Sequence, residues 1–138
     1  MIKSIKRKRK FHSRSKFFAC LLTFCAGFID AYTFIERGGT LVAGQTGNVV
    51  FLSVELIHHE TGEIEVKLAT MLAFMLGIFV LTIFKNSFEN SLWRLSSILP
   101  LILFCGLTGF LPATVSNLFI VPPIGFCMGL VATAFGKV

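Results

Sequence analysis

From residue 17 to residue 35 the chain is apolar and carries one charge, Asp30. A run of roughly twenty apolar residues matches the thickness of a bilayer's hydrocarbon core. A carboxylate placed there costs about 2.5–3.5 kcal/mol on insertion scales, so the fold must house it. A second polar element, Gln45-Thr46-Gly47-Asn48, opens the next apolar segment. Any architecture for this chain has to accommodate both.

Composition narrows the class. The 138 residues include sixteen phenylalanines and one tyrosine, and the mean hydropathy is +0.80. A soluble domain of this size cannot bury so much apolar surface. The expected fold is therefore all-α, a polytopic integral membrane helical bundle in the lipid bilayer. The net charge of +6 belongs to one end. Eight of thirteen basic residues lie between Lys3 and Lys16, leaving five basic and seven acidic residues from Phe17 onward. A basic cluster beside an apolar run orients a span by the positive-inside rule. Residues 1–16 thus read as a cytoplasmic leader held near anionic lipid, and a nucleic-acid partner is not expected. The run at 17–35 is longer than a cleaved signal and is followed by more apolar sequence, so it reads as a retained span.

The membrane domain, 17–138, divides into segments 17–35, 44–57, 68–84, 95–111 and 118–135. Gly38-Gly39 supplies the first helix stop. The clean helical part of the second segment, from Gly47 to Ile57, is too short to cross a bilayer; it is either re-entrant or a short span with a polar start. Residues 58–65 read as a polar loop, and Trp93 as an interfacial anchor between the third and fourth apolar segments. Ala69, Ala73 and Gly77 repeat at four-residue spacing, a small-residue stripe for helix packing. If the second segment re-enters, the acidic loop lies outside and Lys85, Arg94 and Lys137 lie inside, which follows the positive-inside rule better than a full crossing does.

Phe24-Cys25-Ala26-Gly27-Phe28-Ile29 recurs as Phe126-Cys127-Met128-Gly129-Leu130-Val131, the start of a second internal repeat. With a re-entrant segment the unit has three crossings and the next copy is inverted; with a spanning segment it has four and the copies are parallel. Gly27-Phe28-Ile29-Asp30-Ala31, Gly38-Gly39, Gln45-Thr46-Gly47-Asn48 and Leu72-Ala73-Phe74-Met75-Leu76-Gly77 together resemble the signature of the YoaK-like family, uncharacterised and mostly bacterial membrane proteins. The resemblance implies a multi-pass protein of the bacterial cytoplasmic membrane and points to transport of a small molecule or ion. Family members carry a second Thr-Gly-Asn-like element and further helices beyond the position matching Val138, so the resemblance implies a truncated member. A membrane scaffold and a non-functional fragment are the alternative readings.

Asp30 has three readings: a proton, cation or amine site, a hydrogen-bond acceptor that holds the broken segment, or an interfacial charge. A helix starting near Gly47, capped by Thr46 or Asn48, would offer free N–H groups to a substrate anion or to Asp30 itself. Gln45, Thr46, Gly47, Asn48 and Asp30 are accordingly the candidate binding residues for a substrate or ion. His58, His59, Glu60, Glu63 and Glu65 lack the fixed spacing of a metal site, and Glu55 lies one helical turn before the histidines. Cys20, Cys25, Cys105 and Cys127 read as packing residues rather than a disulfide or metal framework. No cofactor motif or nucleophile–base arrangement is present, so an enzyme is not expected. Small-residue faces are compatible with a homo-oligomer.

Overall fold

The computed structural model describes the backbone of residues 2–58, 61–85, 92–112 and 114–136, and the side chains of 16–58, 64–84, 97–112 and 114–136. Five helices follow in order: α1 (Ile2–Glu36), α2 (Gln45–His58), α3 (Thr61–Lys85), α4 (Leu92–Phe110) and α5 (Asn117–Phe135). Among the described residues three stretches are long and apolar enough to cross a membrane, Lys16–Glu36, Ile64–Phe84 and Asn117–Phe135, and Ser97–Phe110 is a shorter apolar helix.

α1 takes in the basic leader as well as the first apolar run. The first 26 residues contain neither Gly nor Pro, and Lys and Arg are good helix formers, so nothing breaks the helix at the change of composition. It ends where expected. Gly38 and Gly39 take φ of +77° and +64°, a left-handed conformation that costs glycine little. The Gly39 N–H returns to the Phe34 carbonyl at 3.1 Å, a six-to-one bond of the Schellman type. α3 starts seven residues earlier than the apolar run implied, at Thr61 rather than residue 68. Polar composition marked residues 61–65 as loop, but carboxylates are favoured near a helix N-terminus. His59, Glu60 and Lys137 lie outside the described residues, as do the side chains of Glu63 and Trp93.

Helix directions follow from side-chain contacts. Rings of Phe18 and Phe135 lie 5.2 Å apart, and a Cβ on Gly38 would sit 3.1 Å from the Asn117 amide nitrogen. α1 and α5 are therefore antiparallel. α3 runs parallel to α5, with Thr70 beside Gly125 and Gly77 beside Phe126 and Gly129. The Leu111 carbonyl, just past the end of α4, lies 3.5 Å from the Arg37 guanidinium. One end of the bundle thus gathers the C-terminal ends of α1 and α4 and the N-terminal ends of α3 and α5. α2 returns to this same end. The Phe51 ring lies 5.2 Å from that of Phe34, so α2 runs back beside the last turns of α1.

α5 is the central helix. Half of its apolar window is buried, against 6% for α1. Ile120, Val121, Ile124, Cys127, Met128 and Val131 form most of the core, with Val42 and Leu101 beside them. Its crossing with α3 depends on glycine. A Cβ on Gly77 would strike the Phe126 carbonyl oxygen, and one on Gly129 would strike that of Phe74. Gly125 is nearly as tight against Thr70. The face that α3 turns to α5 is thus Thr70, Phe74 and Gly77. Ala69 and Ala73 are half-buried. The matching Gly125-x-x-x-Gly129 pattern on α5 is a helix-packing signal that is readable in the sequence.

Gly77→Val and Gly129→Val should each destabilise the bundle by about 1–3 kcal/mol, the range for overpacking a close contact. Gly106→Ala, where a Cβ meets nothing within 4 Å among the described residues, should leave stability unchanged or raise it. Thermal unfolding in detergent distinguishes the variants; equal behaviour of all three would mean that this crossing does not hold the fold.

Candidate functional site

The segment between α1 and α2 is neither helix nor strand, yet Val42 is fully buried. Backbone that leaves a helix inside an apolar bundle must find partners for every N–H and C=O. Here each one is accounted for from Leu41 to Gly44. The Asp30 carboxylate accepts the Val42 and Ala43 N–H groups through Oδ1 at 2.8 and 2.7 Å, and the Gly44 N–H through Oδ2 at 2.9 Å. The Leu41 N–H donates to Asn48 Oδ1 at 2.8 Å, while Asn48 Nδ2 donates back to the Leu41 carbonyl. Gln45 Nε2 donates to the Val42 carbonyl at 2.8 Å. The Gln45 N–H donates to the Ala43 carbonyl, and the Gly47 and Asn48 N–H groups close on that of Gly44.

Gly44 precedes α2 and its carbonyl receives the first helical bonds; a Cβ there would lie 3.1 Å from both Asp30 Oδ2 and the Leu41 side chain. Gly47 leaves room for Leu41, whose methyl would crowd any side chain at that position. Asn48 is fully buried and binds both backbone groups of Leu41. It also donates to Gln45 Oε1 at 3.0 Å. Thr46 is exposed on the first turn. The structure therefore brings Asp30, Gln45, Gly47 and Asn48 to one knot but corrects their pairing. Asp30 meets the three N–H groups ahead of α2, and α2 begins at Gln45 rather than Gly47. No side chain of the motif caps the helix in the expected way. The carboxylate binds the backbone just ahead of the helix and lies near the positive end of its dipole.

A second polar group lies at the Gly38 end. Lys67 is fully buried. Its ammonium is paired with Glu55 Oε1 from α2 and lies 3.5 Å from the Gly38 carbonyl. Arg37 is 3% exposed; its Nε donates to the Tyr32 hydroxyl at 3.3 Å. Among the described residues Arg37 Nη1 and Glu55 Oε2 are buried without a partner. Glu55 thus turns to α3 and not along α2 towards the exposed His58. Sequence reasoning passed over Lys67 because it directly precedes the apolar run. The available signal was the count of charges: an acid on an apolar segment needs a base, and Lys67 was the near one. Among the described residues no group of His, Cys, Asp and Glu side chains is set to hold a metal, and all four cysteines are free thiols.

The sequence profile of the family described as "Protein of unknown function (DUF1275)" matches residues 18–138. The chain belongs to the DUF1275 family. A curated relative, the "UPF0700 transmembrane protein YoaK" of Bacillus subtilis (strain 168), is 27% identical over 73 residues, which cover 53% of this chain and 32% of that protein. The match thus spans about a third of the relative's length. No solved structure matches. Within the DUF1275 chain the Asp30 knot and the Lys67–Glu55 pair both bring charge into apolar surroundings and fix the position of α2.

Asp30→Asn keeps one acceptor oxygen and turns an amide NH₂ towards a row of N–H donors. It should cost about 2–3 kcal/mol, the range for stranding a buried donor of a charged hydrogen bond. Thr46→Ala should stay within about 0.5 kcal/mol of the parent. Chemical or thermal unfolding in detergent reads both, and a mild Asp30→Asn phenotype would remove Asp30 as the organiser of this loop.

Proposed function

We propose that this DUF1275 protein is a multi-pass protein of the bacterial cytoplasmic membrane that passes a small solute or ion, with α2 as a re-entrant helix. The observation that carries this reading is the return of α2 to the end of the bundle where α1 finished, with its first turn pinned at the level of Asp30. Fourteen residues of helix reach about 21 Å, short of a bilayer's roughly 30 Å. Broken helices whose ends meet inside the membrane are the usual plan of solute sites in secondary transporters.

With the basic leader inside, the re-entrant arrangement puts the Glu65 end of α3 outside and the Lys85 end inside, in keeping with the positive-inside rule. The site itself shifts relative to the sequence reading. Asp30 already accepts three N–H groups and is a structural anchor. Charged atoms with unused hydrogen-bond capacity remain at Arg37 Nη1 and, in the Lys67–Glu55 pair, at Glu55 Oε2. That group is the better candidate to meet a solute or ion. The engagement of Asp30 by three backbone N–H groups favours a second reading, a membrane scaffold in which the knot only shapes the chain.

Two experiments test the proposal. In a chain whose four native cysteines are replaced by alanine, Glu36→Cys and His58→Cys should label from the same side of the membrane with an impermeant maleimide. Labelling from opposite sides would mean that α2 crosses. For transport, this chain and the Bacillus subtilis relative would be reconstituted in liposomes and assayed against a panel of cations, amines and carboxylates. Glu55→Gln and Lys67→Met should each lower flux at least tenfold in this chain. If neither protein moves any solute faster than empty liposomes, the scaffold reading replaces transport.

A further inference from the structure

We infer that the Thr23, Phe24, Gly27 and Phe28 face of α1 is the seat of another membrane helix, one equivalent to α3 and belonging to an inverted second unit. The inference rests on helix directions and the internal repeat, and stands whether or not the protein transports anything.

The repeat aligns Phe24 with Phe126, Gly27 with Gly129 and Ile29 with Val131. On that alignment Ile124, Met128 and Val131, which α5 buries in the core, correspond to Leu22, Ala26 and Ile29. Those three are the α1 residues partly buried against the same core. The two helices run antiparallel, and these three repeat positions face inwards in both, whereas Phe18, Ala19 and Cys25, which match the buried Ile120, Val121 and Cys127, are exposed. This is the arrangement of two units related by a two-fold axis in the membrane plane, passing between α1 and α5. It agrees with an odd number of crossings, α1, α3 and α4, ahead of α5.

The outer faces differ in one respect. α5 receives α3 on Gly125, Phe126, Gly129 and Leu130, where backbone approaches so closely that no Cβ fits at Gly77 or Gly129. The equivalent α1 positions are Thr23, Phe24, Gly27 and Phe28, and all four are exposed. A Cβ on Gly27 meets nothing within 4 Å among the described residues. Exposed phenylalanine alone would indicate only lipid, which is as apolar as any helix. The repeat supplies the further information, since its other copy is occupied, and by a helix parallel to it. The occupant of the α1 seat should likewise run parallel to α1, with a small residue where α3 has Gly77. A second copy of this chain is a poor fit. Its first helix, inverted, would fall where α5 already lies.

The probe is a biotinylated peptide of α3, Thr61–Lys85, titrated into the full chain in detergent micelles, where either helix direction is open to it. The chain should capture the peptide, and a Gly77→Leu peptide should not bind. Gly27→Leu in the chain should weaken capture at least tenfold while leaving its unfolding temperature unchanged, because the added side chain points into open space. Capture undiminished by Gly27→Leu, or no capture by the parent chain, would overturn the proposal. So would a dimer of the chain, formed without peptide, that Gly27→Leu abolishes, because the seat would then serve a second copy.

Discussion

One carboxylate sets the geometry of the first half of this molecule. Backbone that leaves a helix within an apolar bundle exposes groups with no water to bind, and each left unmet costs several kcal/mol. Asp30 resolves that problem and its own together. Three N–H groups need an acceptor and an anion needs donors, and they meet within one turn of chain. Once the loop is tied at that level, the helix that follows has no freedom over where to start. Its length then decides where it ends, and brings Glu55 to Lys67.

The other half is held differently. Between α3 and α5 there is little polar chemistry and much close approach, with glycine on both sides of the crossing. Lipid offers apolar side chains the same surroundings as a neighbouring helix does, so association depends on backbones coming near enough for dense contact. Polar bonding thus fixes α2 to α1, whereas close packing fixes α3 to α5. Lys67 and Gly77 place α3 in both systems, one near its start and one in its middle.

The sequence revealed expense more readily than partnership. Asp30 and the Gln45-Thr46-Gly47-Asn48 element stood out because charge and amides are out of place in apolar runs. Their bonds did not, because the acceptors and donors are mostly backbone, which is the same at every residue. Thr46 looked like a cap by residue type but is exposed. The side chain that binds the backbone just ahead of the helix, Asp30, lies sixteen positions earlier. Lys67 was lost at a segment boundary, where a lysine ordinarily reaches water. The Gly125 and Gly129 pair carries the spacing of a close helix crossing, but only Gly129 lies within the repeat, and the spacing itself is easily overlooked. Helix number and order were legible because apolar length is a strong signal. Helix starts were less so, since the acids that mark a loop also suit a helix N-terminus.

The span of these contacts along the chain has a consequence for biosynthesis. Asp30 bonds to residues twelve to fourteen positions later, and Lys67 to one twelve positions earlier. At ordinary rates of synthesis, roughly 5–20 residues per second, a fourteen-residue wait lasts about one to three seconds. Asp30 and the Lys67–Glu55 pair can therefore be matched almost as soon as they are made, before α4 exists, whereas Arg37 meets the Leu111 carbonyl only after α4. The α3–α5 crossing joins Thr70 to Gly125 and must wait for the last helix. A chain built in this order enters the lipid with Asp30 and the Lys67–Glu55 pair already matched, and leaves mainly apolar surfaces to search for one another.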